Sequence, residues 1–459
     1  MKIHSVLSHA VAAIGAATLS FAAPAKPNII YIMVDDAGIG DFSNYGGKHI
    51  KTPVMDRMSK EGMQFNRAYS GNAVCGPTRC VLMTGMHPGH ALRRANQSKH
   101  GLLPTVKGTP TVASLLKKAG YATGGFGKWG IGNVGTEGVP EKHGFDLWYG
   151  YYDQVHAHDY YPTFLIRNSK EVKLRKNEGG KKGSYTHYLI EEQTIKFIED
   201  HKDGPFFCYA AWTPPHGKYV IPDDDPCLKH YADKPWSQTV KNYAAMVTLL
   251  DQGVGRIIAK CKELGIADNT LIIYTSDNGA NGPFIKALQS SGGLRGAKRS
   301  LYEGGIRAPM VAYWPGKVAA GSNTDLLTSQ VDLMATAAEM AGVKAPDNDG
   351  ISILPTLLGK DQKTTHRFLY FEIYEGAFQQ CVRMGNWKGY RKGTKDPVKL
   401  YDLSKDPAEN KNVAAGHPDV AKEIDAIMTR EHTPSPHYFT PEHAGDKNPD
   451  KPAKKKKKK

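Results

Sequence analysis

The sequence predicts an α/β sandwich with a central, mostly parallel sheet, followed by a smaller C-terminal α+β subdomain. Segments typical of strands alternate with helical segments over about 300 residues, which is the pattern of α/β folds. The first of these, 28–34, is a continuous apolar run, as expected for a strand buried on both faces. After Pro355 the pattern changes to short strands and one helix. A chain of 459 residues is also too long for one small core.

The individual elements follow from apolar runs and from helical periodicity. Strands are predicted at 28–34, 121–126, 206–212, 271–275, 310–314, 368–373, 380–384 and 387–391. Helices are predicted at 53–62, 110–119, 188–199, 243–264, 333–341 and 420–430. Pro53 and Pro110 stand where a first helical turn accepts proline, and Gly120 stands where a helix ends. These boundaries predict a catalytic domain at 26–355 and a C-terminal subdomain at 356–435.

The two ends of the chain differ from the rest in composition. Lys2, the apolar stretch 11–21 and the small-residue pattern Ala23-Pro24-Ala25 predict a secretory signal peptide at 1–25. That stretch is too short to span a bilayer, so we expect a periplasmic or secreted protein without a transmembrane segment. At the other end, residues 436–459 are predicted to be a disordered, lysine-rich tail.

The formal net charge of +15 is concentrated in part at this C-terminal tail. Such a block is either simply solvated or a weak tether to polyanions such as sulfated polysaccharide. No basic helix and no aromatic-basic module accompanies the charge, so a nucleic-acid partner is not expected.

The six cysteines show no zinc or disulfide spacing. Cys208 lies in an apolar run and is predicted to be a buried thiol. Cys75 opens the stretch Cys75-Gly76-Pro77-Thr78-Arg79. On its own this pattern is equally compatible with an ordinary buried cysteine.

Acidic residues follow two predicted strands directly. Asp35 and Asp36 end the first strand, and Asp277 and Asn278 end the strand at 271–275. Ligand crevices of α/β sheets lie beyond the carboxyl ends of the strands, and oxygen ligands suit Ca²⁺ or Mg²⁺. We therefore expect a hard-cation site there, although Asp-Asn-Gly by itself is also typical of a turn.

Four further groups are candidates for binding a tetrahedral anion. Arg79 follows Cys75 by about one helical turn, which lets both face one pocket. Lys128 and Lys298 stand in glycine-rich turns near strand ends, where donors for developing negative charge can be placed. His216 follows a predicted strand directly and is a candidate acid.

Taken in order, these motifs resemble the conserved blocks of type I sulfatases, the arylsulfatase family of the alkaline phosphatase superfamily. The matching stretches are Asp35-Asp36-Ala37-Gly38, Cys75-x-Pro77-x-Arg79, Gly127-Lys128-Trp129, Pro214-Pro215-His216, Ser276-Asp277-Asn278-Gly279, and Arg295-Gly296-x-Lys298 with Glu303-Gly304-Gly305-x-Arg307. The resemblance covers about residues 27 to 430 and implies an alkaline-phosphatase-like sandwich.

The resemblance also implies a chemistry. A maturation enzyme that generates formylglycine would oxidise Cys75, and the resulting residue would be the nucleophile. Calcium would be bound by an oxygen-rich set completed by residue 75, namely Asp35, Asp36, Asp277 and Asn278. The sulfate would be surrounded by the catalytic side chains Arg79, Lys128, His216 and Lys298. The implied substrate is a sulfated carbohydrate of the galactose or N-acetylgalactosamine type.

One position departs from the family pattern, which usually reads Lys-Trp-His. This chain has Lys128-Trp129-Gly130, so the role of that histidine is unassigned. The stretch 149–162 is rich in aromatic residues and histidine and resembles a sugar-binding insert. Either His156 or His158 is predicted to take over the role or to bind substrate; each is equally compatible with a structural loop histidine.

Two other functions remain open at this point. A phosphonate monoester or phosphodiester hydrolase shares the fold and can share the nucleophile. A non-catalytic glycan-binding relative would show loss of metal or cationic positions, and here only the position of Gly130 is changed.

Overall fold

A computed structural model describes residues 26–97 and 103–440. The predicted signal peptide at 1–25 and the lysines at 451–459 lie outside the described residues. The strands of the described part are β1 Asn28–Val34, β2 Met63–Phe65, β3 Ala68–Tyr69, β4 Ala122–Lys128, β5 Leu147–Tyr151, β6 Phe164–Arg167, β7 Lys170–Lys173, β8 Phe206–Ala211, β9 Thr270–Ser276, β10 Met310–Tyr313, β11 Ser322–Thr324, β12 Thr328–Ser329, β13 Leu369–Ile373, β14 Gln379–Met384, β15 Trp387–Lys392 and β16 Lys399–Asp402.

The helices of the described part are α1 Pro53–Glu61, α2 Cys75–Thr84, α3 Val112–Lys118, α4 Thr186–Asp200, α5 Pro226–Lys229, α6 Gln238–Glu263, α7 Gly282–Leu288, α8 Glu303–Ile306, α9 Leu333–Ala341, α10 Leu354–Leu357 and α11 Pro418–Arg430. The six predicted helices are present as α1, α3, α4, α6, α9 and α11, with boundaries shifted by at most five residues, whereas the other helices were not predicted. Within the described residues no helix is long and apolar enough to cross a bilayer.

A ten-stranded sheet forms the centre of the molecule, in the order β11-β2-β10-β9-β1-β8-β4-β5-β6-β7. The five strands β9-β1-β8-β4-β5 are mutually parallel, and antiparallel pairings occur on either side of them. The predicted α/β sandwich with a mixed, mostly parallel sheet is therefore confirmed. Side chains of β1 alternate between two apolar cores, one on each face, with Ile30 in one and Ile29 in the other. Burial on both faces explains the unbroken apolar run.

The stretch 149–162 is only partly an insert. Tyr149 and Tyr151 belong to β5, which pairs in parallel with β4 inside the sheet. The hairpin of β6 and β7 then extends the sheet in the antiparallel direction. These strands were not predicted, because β5 contains Gly150, both hairpin strands have only four residues, and β7 is largely polar. Only residues after Tyr151 leave the sheet and can reach a ligand.

A second, antiparallel sheet of β13, β14, β15 and β16 follows the large one, and α11 packs against it. Residues 436–440, assigned to the tail from sequence, are part of the described structure. Tyr438 is buried and its ring packs against Tyr374, so the folded part reaches beyond residue 435. All six cysteines are buried and free, including Cys208.

A buried ionic cluster joins this second sheet to α8 and to the loop after β16. Lys388 of β15 is fully buried, with its Nζ 3.0 Å from Oε1 of Glu303 and 3.1 Å from Oε1 of Glu409. Arg307 Nη1 lies 2.9 Å from the other oxygen of Glu303. Burial alone would raise the pKa of Glu303, but Lys388 and Arg307 lower this pKa to about 2. Glu303 begins α8, five residues after Lys298, so the cluster also supports the loop that carries that lysine.

Candidate active site

The acidic residues predicted at two strand ends lie side by side. β1 and β9 are parallel neighbours, so Asp35 and Asp36 leave the sheet next to Asp277 and Asn278. The backbone N–H of Asp36 donates to Asp277 Oδ1 at 3.1 Å, and Asn278 Nδ2 donates to Asp36 Oδ1 at 2.9 Å. Asp36 has a φ of 71°, an unfavourable backbone conformation for a non-glycine residue. All four side chains are fully buried, so burial and the neighbouring charged groups together determine the ionisation of the three carboxyl groups.

Cys75 is the first residue of α2, and the helix places it against these carboxylates. Its Sγ lies 3.0 Å from Asp35 Oδ1 and 3.8 Å from Asn278 Oδ1. The next residue, Gly76, donates its backbone N–H to Asn96 Oδ1 at 2.9 Å, which satisfies one of the free donors at the start of the helix. Burial, reinforced by Asp277 and Asp35, raises the pKa of the Cys75 thiol well above its usual range. The unmodified thiol is therefore protonated and a poor nucleophile.

Arg79 lies one turn further along α2 and faces the same group. Its Nη2 lies 3.2 Å from an oxygen of Asp35 and 3.2 Å from an oxygen of Asp277. Its Nη1 donates to the backbone carbonyl of Lys128 at 2.6 Å. The guanidinium thus connects α2 to the ends of three strands, and its planar shape allows these contacts at once.

The two predicted lysines each contact one of the two adjacent aspartates. Lys128 at the end of β4 places its Nζ 2.6 Å from Asp35 Oδ2. Lys298 places its Nζ 2.7 Å from Asp36 Oδ1 and 3.6 Å from the Sγ of Cys75. Burial would lower the pKa of Lys298, but Asp36 and Cys75 raise it, so this lysine stays protonated. Both ammonium groups are therefore positioned beside residue 75.

His216 and His158 complete the set of titratable side chains around Cys75. His216 Nε2 lies 3.2 Å from Asp36 Oδ2, whereas its buried Nδ1 has no hydrogen-bond partner among the described residues. The contact to the carboxylate assigns the proton to Nε2 and leaves Nδ1 as an acceptor. Burial lowers the pKa of His216 to about 3. The ring of His158 lies 4.4 Å from that of His216, and burial lowers its pKa too, so both imidazoles are neutral at pH 7.

His156, the alternative predicted from sequence, lies elsewhere. Its ring packs against Phe164 at 4.5 Å and against Tyr151 at 5.0 Å, on the side of the loop that faces β6. It lines a different cavity, of about 400 Å³. His156 is thus not among the residues that line the cavity of Cys75 and His158, and a role for it in binding substrate stays a prediction.

The donor set around residue 75 fits a hard divalent cation. Ligand atoms of Asp35, Asp36, Cys75 and His216 lie within 4.8 Å of one another. Burial and the neighbouring Asp35 raise the pKa of Asp277 to about 7, because buried carboxylates so close together disfavour a further negative charge. A cation bound by the carboxylates and the Asn278 oxygen would offset that repulsion, and oxygen ligands favour Ca²⁺ or Mg²⁺ over zinc.

A cavity of about 370 Å³ opens from this group to the solvent. Cys75, Lys128, His158, His216 and Lys298 line its base. Its rim is formed by side chains that the sequence did not single out, namely Asn96, Gln97, Asp153, Gln154, Arg299, Tyr374 and Glu375. These come from separate loops of both sheets, and no motif marks them.

Comparisons with known proteins agree with this arrangement. Residues 27–343 match a family model described as Sulfatase, and residues 296–433 match one described as N-sulphoglucosamine sulphohydrolase, C-terminal. The human N-acetylgalactosamine-6-sulfatase is 33% identical over 405 residues, covering 80% of this chain and 72% of that protein. The N-acetylgalactosamine-6-O-sulfatase of Bacteroides thetaiotaomicron is 29% identical over 486 residues, covering 88% and 92%.

Solved structures show the same similarity. The crystal structure of Ps i-CgsB in complex with k-i-k-neocarrahexaose superposes with a TM-score of 0.79 at 28% identity, covering 90% of this chain and 95% of that one. The Bacteroides thetaiotaomicron structure titled BT33336S-sulf gives a TM-score of 0.75 at 27% identity, covering 89% and 100%.

Proposed function

Since the chain belongs to the sulfatase family and is a sulfuric ester hydrolase that acts on sulfated carbohydrate, we propose that it removes sulfate from galactose-type or N-acetylgalactosamine-type sugars with a formylglycine at position 75 and bound Ca²⁺. The observation that carries the proposal is the placement of Cys75: its Sγ touches Asp35 and Lys298 at the base of an open cavity. The sugar class is supported by the printed activities of the relatives at 29% and 33% identity.

Residue 75 and the oxygen atoms at the two strand ends would supply the formylglycine and hold the cation. Oxidised residue 75 would supply an oxygen nucleophile where the thiol now lies. A cation held by Asp35, Asp36, Asp277 and Asn278 would supply positive charge next to that oxygen and favour its deprotonated form.

The chain's own side chains then bind and polarise the ester. Lys128 and Lys298 line the same cavity as residue 75, so their ammonium groups can donate to sulfate oxygens as negative charge develops. Lys298 remains protonated and can donate to the departing sugar oxygen. His216 Nδ1 and the neutral His158 ring are the available proton acceptors. Arg79 holds Asp35 and Asp277 in position behind the nucleophile.

The location and maturation of the chain belong to the same proposal. The signal-peptide pattern at 1–25 supports export to the periplasm or the medium. The intact Cys75-x-Pro77-x-Arg79 motif supports recognition by a formylglycine-generating enzyme.

The test is a substrate panel on matured enzyme. The protein is produced with a formylglycine-generating enzyme, conversion of residue 75 is measured by peptide mass spectrometry, and sulfate release is followed by ion chromatography. The panel contains the 6-sulfates and 4-sulfates of galactose and N-acetylgalactosamine, 4-methylumbelliferyl sulfate and a phosphodiester. We expect release from at least one galactose-type sugar sulfate, loss of activity in Cys75→Ala, and retention in Cys261→Ala, which removes a buried thiol of α6. Preferential cleavage of the phosphodiester would contradict the proposal.

A further inference from the structure

Gly130 leaves a space beside the nucleophile, and another side chain occupies it. Gly130 follows β4 with a φ of +75°, a conformation that favours glycine. A Cβ built on it would lie 2.8 Å from Nε2 and 3.1 Å from Cδ of Gln154. Contacts this short are incompatible with a side chain at position 130 while Gln154 keeps its place. The Gln154 amide therefore fills the volume next to Lys128 and Trp129 that a side chain at 130 would take.

The same amide lies over the residue after Cys75. A Cβ built on Gly76 would lie 3.0 Å from Gln154 Nε2. That nitrogen donates to the backbone carbonyl of Gly130 at 3.2 Å. Neither the second N–H nor Oε1 has a further hydrogen-bond partner that the structure describes in residues 26–97 and 103–440. Gln154 lines the cavity that Cys75 and His158 also line.

The conformation of the loop that carries Gln154 does not depend on the Gln154 side chain. Asp153 Oδ1 accepts from the backbone N–H groups of Val155 and His156 at 2.7 and 2.9 Å, which closes a turn around position 154. Within residues 26–97 and 103–440 the one hydrogen bond of the Gln154 side chain goes to Gly130, and the Asp153 turn does not depend on it, so removing this side chain leaves the turn in place.

We propose that Gln154 is a substrate-binding residue that donates its free amide N–H to an oxygen of the sulfate ester. The inference deepens the proposed function and rests on it. One N–H is anchored on Gly130, so the direction of the second is set in advance, and a preset donor loses little freedom when it binds. An amide does not titrate, so Gln154 binds the ester and leaves proton transfer to the histidines.

The experiment uses matured, Ca²⁺-loaded enzyme and 4-methylumbelliferyl sulfate, with kcat and KM measured from pH 5 to 9 and thermal unfolding in parallel. Gln154→Ala should lower kcat/KM by about tenfold to a hundredfold, the range for a hydrogen bond to a charged group, with an unchanged melting temperature and pH profile. Gln154→Glu should be less active still at pH 8 and recover as the pH falls, because its carboxylate repels the sulfate until it is protonated. Val134→Ala, an exposed change four residues after Gly130, is the matched control.

A double-variant cycle tests the shared volume. Gly130→Ala should lower kcat/KM in the presence of Gln154 by displacing the amide, and should have a smaller effect in the Gln154→Ala background. If Gln154→Ala stays within twofold of the wild type, or if the Glu variant shows no new pH dependence, the inference is overturned. A wild type that cleaves no sulfate ester would instead overturn the proposed function, and this inference with it.

Discussion

Replacing Lys388 by Met tests whether the buried ionic cluster holds the second sheet against α8. The Nζ of Lys388 lies 3.0 and 3.1 Å from two carboxylates, and none of the three side chains is more than 1% exposed. At an effective dielectric constant of about 20, each contact is worth about 5 kcal/mol before desolvation is subtracted. In the variant, Glu303 still forms an ion pair with Arg307, whereas Glu409 loses its ion pair with Lys388. Removing one partner of a buried ion pair costs about 3–5 kcal/mol. Because Arg307 still pairs with Glu303, we expect Lys388→Met to lower the free energy of unfolding by about 3 kcal/mol.

The assay is urea unfolding at pH 7 followed by tryptophan fluorescence. Lys405→Met is the control, because its side chain is 84% exposed and 3.5 Å from Asp402. An exposed pair of this kind contributes at most about 1 kcal/mol. Adding Glu409→Gln to Lys388→Met should recover most of the loss, because glutamine keeps an acceptor for the Glu303 backbone N–H without the charge. Equal destabilisation by the Lys388 and Lys405 changes, or no recovery in the double variant, would refute the reasoning.

Three further predictions concern the metal, the arginine and a buried carboxyl group. Chelation with EGTA should abolish sulfate release and lower the melting temperature, because the strand-end carboxylates lose their compensating charge, and added Ca²⁺ should restore both; full activity in excess EGTA would contradict the metal site. Arg79→Lys should lower kcat/KM at least about a hundredfold when activity is normalised to the amount of converted residue 75. The reason is that one ammonium group cannot replace a guanidinium that contacts Asp35, Asp277 and the Lys128 carbonyl at once. Asp251 of α6 is buried and accepts from the backbone N–H groups of Val54 and Met55 at the start of α1, and burial raises its pKa to about 7. The folded protein therefore binds more protons than the unfolded chain between about pH 4 and 7, so this group makes the free energy of unfolding fall as the pH rises. Denaturant titrations at pH 4.5 and 7 should show a weaker fall of this kind in Asp251→Asn, and an unchanged slope would argue against the shifted pKa.

Much of the fold could be predicted because its central strands are buried on both faces. The run at 28–34 and the strand at 206–211 are continuous and apolar, so periodicity and composition agree. The hairpin of β6 and β7 at the sheet edge was missed, because a strand such as Lys170–Lys173 is polar and exposed and resembles a loop. Sheet order also depends on contacts between distant segments, and local patterns carry no information about them.

The base of the site was predictable for a different reason. Asp35 and Asp277 follow strands directly, and parallel neighbouring strands bring their carboxyl ends together. His156 and His158 are two residues apart in sequence yet point to different cavities, because a 3₁₀ turn at 156–158 separates them. Gln154 carries no signal in one sequence; only the packing against Gly130 distinguishes it from an ordinary loop glutamine.

Burial of Cys75 bears on the order in which oxidation of this residue and folding of the chain take place. The thiol is 1% exposed and enclosed by Asp35, Asn278 and Lys298. Once α2 has packed, the active site of a formylglycine-generating enzyme has little access to it. We therefore expect the proposed oxidation to precede the packing of α2. Protein that folds first would have the correct shape and bind the ester but would remain permanently without its nucleophile. Two samples with identical folds can thus differ completely in turnover, depending on whether residue 75 was oxidised by the maturation enzyme before the chain folded.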